Sequence, residues 1–247
     1  MKVLSYIIIV LTTGFSVAPA LNAQNDKIID QIRFSGVYTG GLDLNDRVTS
    51  LNGLGAGFEA RFRLYDKFTF SLHAGYSYLH VEQPDPIEWW GWDYWEIYYR
   101  TYLDVWTGEG IYGYEIEPMQ RVELYPVLLT VNYALPNLTD RLSWSLSVGG
   151  GVFVFENRLF TNEYWWKEFP DIDYIYEYNF SNNAPSKHGT LYGIVTGINA
   201  TYRLWNVLGI NFNTNYNHLI SSMREHDFAV FPYGSSFNIS TGIVLFY

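Results

Sequence analysis

The sequence contains no cysteine. That excludes disulfides, thiol nucleophiles and any zinc site built on Cys. Histidine is scarce: five are scattered through 247 residues, and none stands at a spacing that would assemble a metal site. No metal and no cofactor are expected. Positive charge is also short, with 15 Lys and Arg against 25 Asp and Glu and a formal net charge of −10. A chain with that balance repels a phosphate backbone, so nucleic acid is not an expected partner. Past residue 23 no apolar run approaches the ~20 residues that a membrane helix needs. If the remaining chain crosses a membrane, it does so with strands.

Aromatic residues, by contrast, make up 19% of the chain, with 22 Tyr, 16 Phe and 9 Trp. Hydrophobic residues reach 48%, yet the mean hydropathy is only −0.06. Apolar residues are therefore interleaved with polar ones, as in strands with one greasy and one polar face. The N-terminus departs from this pattern. Lys2 precedes an apolar run from Val3 to about Val17, followed by APALNA ending at Ala23. A positive start, a short apolar stretch and an A-x-A-like end read as a signal peptide over 1–23, cleaved before Gln24. A membrane anchor is the competing reading, and the run is too short for it. With no Cys following, it is not a lipoprotein signal.

Residues 24–247 then form one domain in which alternation recurs eight times. Ile32, Phe34 and Tyr38 oppose Arg33, Ser35 and Thr39; Leu54, Phe58 and Phe62 oppose Glu59, Arg61 and Arg63. Phe68 to Tyr78 opposes Thr69, Ser71 and His73. Tyr125 to Tyr133 is broken only by Pro126, which is expected at a bulge or a rim. Leu142 to Val154 opposes serines and glycines, and Tyr192 to Leu204 opposes a face ending in Arg203. Leu208 to Tyr216 opposes a ladder of Asn211, Asn213, Asn215 and Asn217. No apolar sandwich core accepts such a ladder cheaply. A soluble lipocalin-like barrel would turn its apolar face inward, and these inner candidates are too polar for that. The expected fold is all-β: an eight-stranded antiparallel up-and-down transmembrane β-barrel with two long extracellular loops.

The last run, Tyr233–Tyr247, places Ser240, Gly242, Leu245 and Tyr247 in the order polar–x–Gly–x–x–apolar–x–aromatic. This resembles the closing strand of outer-membrane β-barrels, and the whole pattern resembles eight-stranded members of the OmpA and OmpX sort. The resemblance implies a Gram-negative outer membrane, lipid around the barrel, and recognition of those four residues by the barrel-assembly machinery. It also implies that the short turns are periplasmic and the long connections external.

An eight-stranded barrel has room inside only for side chains. Glu59, Arg61, Arg63 and Arg203, with Asn211, Asn213 and Asn215, are expected to form a lumen network, and a gated ion path is the sharper alternative. Lipid A-modifying enzymes occur among small outer-membrane barrels. The nearest arrangement here, His218 with Ser221 and Ser222 and then Glu225 and His226, does not give a deacylase's spacing, so no enzymatic role is expected. A small passive pore is the other alternative. The external segments are distinctive: IEWWGWDYWEIYYRTYLDVW (Ile87 to Trp106), NEYWW and DIDYIYEYNF. Their aromatics, Trp89, Trp90, Trp92, Trp95, Trp106, Trp165 and Trp166, are expected to form a surface for a glycan or a protein partner. Structurally, 94–105 and 111–117 are expected to pair as a hairpin that raises the wall beyond the membrane.

Overall fold

The computed structural model describes residues 29–108, 112–137, 139–220 and 231–247. The signal peptide read over 1–23 and the residues Ser221, Ser222, Glu225 and His226 lie outside them. The strands are β1 (Ile29–Gly41), β2 (Ser50–Tyr65), β3 (Phe68–Glu82), β4 (Tyr112–Ala134) and β5 (Leu142–Phe169), then β6 (Tyr174–Asn183), β7 (Lys187–Arg203), β8 (Leu208–Ile220) and β9 (Ser235–Phe246). All but β6 form a ring in the order β1–β2–β3–β4–β5–β7–β8–β9. β9 closes it on β1, from Gln31 opposite Phe246 to Gly41 opposite Ser236. Closure gives the backbone groups of the wall a partner on both sides, which a hydrocarbon surrounding demands.

The period-2 pattern decides which face is which. Phe34, Leu54, Val148, Ile198, Phe212 and Ile243 project outward and are half exposed or more. Their neighbours Arg33, Glu59, Asn132, Asn199 and Asn211 project inward and are buried. Pro126 interrupts the β3–β4 ladder, which runs to Ala74 opposite Val127 and resumes at Ser77 opposite Leu124. On its other side it stays paired, opposite Phe153. The missing N–H is thus tolerated on one side of the strand only.

The interior is not uniformly polar. Its periplasmic half holds the charged side chains Arg33, Glu59 and Arg61 with Asn132, Asn199, Asn211 and Asn213. Its external half is filled by Leu79, Val122, Leu124, Phe153, Phe155, Val195, Phe231 and Tyr233, all buried and in one cluster. Phe155, Phe231 and Tyr233 form a chain of rings with centroids 4.6 Å apart at each step. This apolar plug departs from the hydrated interior expected from the asparagine and serine faces. Along several inner faces the polar residues give way to apolar ones toward the external end, as in Ser71 and His73 followed by Leu79 and Val81 on β3.

β4 and β5 continue well above the rest of the wall. β3 leaves β4 at Val81 opposite Gln120, and β7 leaves β5 at Lys187 opposite Asn157. The β4–β5 pairing runs on to Tyr112 opposite Lys167. β6 folds back along β5 after a short turn at Pro170–Ile172, with Asp173 in the left-handed region (φ 48°). These three strands form a raised sheet, a tower on the external side.

The first long connection corrects the sequence reading. Instead of a hairpin over 94–105 it is helical: α1 (Pro86–Trp90), a π-helical segment Tyr94–Tyr99, and α2 (Arg100–Gly108). Residues 94–106 are apolar or aromatic at both strand and helix spacing, so periodicity alone does not choose. Packing chooses. As a helix, Trp95, Tyr99 and Leu103 align at a spacing of four and close on Trp165 of the tower.

Candidate interaction surface

In the periplasmic half of the lumen, Arg33 and Glu59 are cross-strand partners. Arg33 Nη1 donates to Glu59 Oε2 at 3.4 Å and to Asn199 Oδ1 at 3.1 Å, and Nη2 donates to Thr201 Oγ1 at 3.1 Å. Arg61 donates to Glu59 Oε1 from Nη2 at 2.9 Å and from Nε at 3.1 Å. Ser71 Oγ adds a bond at 2.8 Å. One carboxylate therefore serves two guanidinium groups and a hydroxyl. Glu59 and Arg61 are brought together as expected of a lumen network, while Arg63 and Arg203 are not part of it. Arg63 reaches Asp30 at the periplasmic rim, 2.9 Å away and largely exposed. Arg203 lies over the Phe246 ring at 4.3 Å. Both stand at the periplasmic ends of their strands, Arg63 near the end of β2 and Arg203 at the end of β7, where water is the better solvent for a cation. Arg33 completes the network and was missed; its inward parity opposite Glu59 was the available signal. Asn211 and Asn213 are buried in the same half and Asn215 half-buried, and Asn217 Nδ2 donates to Ser236 Oγ at 3.2 Å.

The closing-strand residues lie on the β1–β9 seam. Ser240 and Gly242 face inward, opposite Val37 and Ser35, and Leu245 faces outward opposite Ile32. A Cβ on Gly242 would lie 1.9 Å from the Phe34 carbonyl oxygen. The glycine lets the two strands close. Tyr247 follows, exposed, its N–H bonded to Asp30 O at 3.2 Å.

Outside the membrane the helical segment is locked onto the tower by one residue. Glu163, on the inner face of β5, is 1% exposed. Its carboxylate accepts from Trp165 Nε1 at 3.0 Å, Thr161 Oγ1 at 3.1 Å, Asn182 Nδ2 at 2.6 Å and the Tyr99 hydroxyl. Burial and the bond to Glu163 push the Tyr99 phenol well above its ordinary range. These contacts tie helix, β5 and β6 at a single acceptor. The sequence pattern missed Glu163, although the β5 alternation carries through it.

The seven tryptophans divide into three buried, two partly buried and two exposed. Trp90, Trp92 and Trp165 are buried and structural. Trp90 donates to Pro185 O at 3.2 Å and lies under the Lys187 ammonium at 4.6 Å, and Trp92 stacks on the partly buried Trp95 at 5.7 Å. Trp89 and Trp106 are exposed, Trp89 with the Arg47 guanidinium 3.4 Å above its ring. Trp166 is half-buried on the outward face of β5. The exposed helix face instead offers Tyr94, Tyr98, Tyr102 and Trp106, spaced by four, with Tyr94–Tyr98 and Tyr102–Trp106 centroids 6.5 and 6.0 Å apart. Ile97 and Val105 flank this stripe, each more than half exposed.

A closed antiparallel ring with an apolar outer belt, a charged lower lumen and raised external strands defines an integral outer-membrane β-barrel of eight strands. No protein-family model matches the sequence, and no curated protein matches it. Among solved structures the chain is similar to the outer membrane protein OprG of Pseudomonas aeruginosa, at 12% identity and a TM-score of 0.47, covering 92% of this chain and 99% of that one. A major outer membrane protein of Thermus thermophilus aligns at 12% identity and 0.45, covering 87% and 99%. The attachment invasion locus protein Ail of Yersinia pestis aligns at 8% and 0.44, covering 88% and 99%.

Proposed function

We propose that this protein is a non-enzymatic surface-interaction protein, its barrel serving as an anchor and its tower as the working part. The observation that carries the reading is the exposed stripe Tyr94–Tyr98–Tyr102–Trp106 on a helix whose other face is locked by Glu163. Rings held at fixed spacing on a rigid support offer binding area at small entropic cost. The partner is a surface glycan or a protein. Replacing the four stripe residues with alanine should abolish capture from a glycan and protein array by vesicles carrying the protein. The barrel should still migrate anomalously on gels until boiled, because the stripe belongs to the external helical segment and not to the ring of strands; only its ends, Tyr94 and Trp106, touch Tyr99 and Trp165. Capture by the quadruple variant at the wild-type level refutes the stripe as the binding surface.

The apolar plug weighs against a passive pore, since a lumen filled by packed Leu, Val and Phe side chains offers ions no solvation. Planar-bilayer recordings should show no stable conductance. His73 faces the lumen, while His80, His188 and His218 face outward on three different strands, which does not support a lipid A-modifying triad. Mass spectrometry of lipid A from cells with and without the protein should show identical species.

A further inference from the structure

The outward face of the tower is a second surface, distinct from the helical stripe. Strand register arranges it as rows: Glu117, Asn162 and Ser181; Glu115, Tyr164 and Asn179; Gly113, Trp166 and Glu177. A Cβ on Gly113 would fall 2.0 to 2.4 Å from three indole atoms of Trp166. The indole therefore lies flat on the backbone at Gly113 and turns its other face outward. The Tyr164 ring follows 5.6 Å away, tilted by 37°. Ser181 Oγ donates to Asn162 Oδ1 at 3.0 Å, which orients the amide and leaves its N–H groups free to donate. Beside the rings the sheet encloses an open concavity of about 800 Å³, whose lining includes Glu115, Glu117 and Asn162 and no lysine or arginine. That volume falls in the range of ligand sites.

Half-buried rings that each present one side to solvent, next to planar carboxylates and amides, match the two sides of a pyranose. Its C–H face packs on the rings, and its hydroxyls donate to carboxylates in charge-assisted bonds. An anionic sugar would meet the like charge of Glu115, Glu117 and Glu177. A cationic chain would be better held by an enclosing cage than by an open plane. The face is also directed sideways. It shares its side of the sheet with Arg121, Glu123, Glu156 and Arg158, whose ion pairs lie lower on the wall, next to the Tyr125 and Tyr76 rings. Molecules standing in the same leaflet are what such a face meets.

We infer that this face binds the neutral sugar units of glycolipids in the surrounding leaflet, stacking a pyranose on Trp166 and Tyr164 and taking its hydroxyls on Glu115, Glu117 and Asn162. The inference rests on the tower being the working part of the protein. The test places the full chain in nanodiscs of phospholipid alone, of glycolipid with a long neutral saccharide, and of the same glycolipid cut back to its anionic inner sugars. The readout is the Trp166 indole N–H resonance, assigned with Trp166→Phe. It should shift only with the long saccharide, and the released neutral saccharide should compete. Gly113→Ala removes no ligand contact but tilts the indole, and should weaken binding about tenfold. Glu115→Gln with Glu117→Gln should weaken it as well. Each variant's heat-modifiable migration verifies its fold. Equal shifts in all three nanodiscs, no effect of Gly113→Ala, or a shift produced by oligolysine instead would overturn the inference. If Trp166 stays silent while the stripe variant loses capture, the tower reading survives and this inference alone fails.

Discussion

Glu59→Leu is expected to lower the unfolding free energy of the barrel by about 3–5 kcal/mol, the largest effect of any single lumen substitution. The reason lies in what remains. Arg33 and Arg61 are 2% and 5% exposed, and both have Glu59 as their carboxylate partner. Removing it leaves two guanidinium groups facing each other inside a wall surrounded by lipid. Asn199, Thr201 and Asn132 still accept bonds from them but supply no charge. Glu59→Gln should recover little, because its carbonyl oxygen accepts bonds without neutralising either cation. Arg63→Ala is the internal control. Its pair with Asp30 is mostly exposed, and such pairs contribute about 1 kcal/mol or less. Urea titrations in lipid vesicles, followed by heat-modifiable migration, should rank the three variants in that order. Equal midpoints for Glu59→Leu and Arg63→Ala would show that the lumen cluster carries no special load.

Glu163→Leu should release the helical segment from the tower while the barrel remains assembled. The substitution leaves the Tyr99 hydroxyl, Trp165 Nε1, Thr161 Oγ1 and Asn182 Nδ2 without their shared acceptor. Stranding a buried donor costs about 1–3 kcal/mol each; the losses are not additive within one cluster, yet they exceed what a short helical segment can absorb. Limited trypsin digestion of vesicles should then cut after Arg100 in the variant and spare the wild type. Resistance in the variant would mean that Leu103 and the stacked Trp92 and Trp95 hold the helix without Glu163.

The same cluster sets a pH dependence. In the docked helix the Tyr99 phenol holds its proton above its ordinary value of 10.0, through burial and the bond to Glu163. In an undocked segment it ionises near that ordinary value. Between the two values the undocked form has lost the proton and the docked form keeps it. Docking is therefore unaffected below about pH 10 and weakens as pH rises further. Trypsin sensitivity should increase across that window in the wild type, and Tyr99→Phe should remove the pH step.

The outward faces were legible in the sequence because lipid and lumen impose a strict period of two. A run such as Leu208, Ile210, Phe212 against Asn211 and Asn213 has one arrangement that satisfies both sides. The lumen charges were half legible. Parity put Glu59 and Arg61 inside, but parity says nothing of height, and height separates Arg33 from the rim residues Arg63 and Arg203. The plug is not legible along any single strand, for a related reason. Leu79, Phe153 and Val195 lie on faces that begin with serine, glycine or asparagine, and the change of character appears only when the strands are set side by side. In the external segments, strand and helix spacing were both filled with aromatics.

What the sequence determined by itself was the wall: eight alternating strands and the apolar outward face of each. Each of these follows from neighbours along one strand, where backbone geometry alone fixes direction. What only the tertiary structure decided was the use of the aromatic excess. Trp165 stands some sixty residues from Tyr99 and Leu103 in the chain, and they exclude one another from water only after β4 and β5 have risen above the membrane together. That contact makes 94–108 a helix, buries Trp165 and leaves the tyrosine stripe exposed, while Trp90 and Trp92 are buried separately against Leu159 and Ala184.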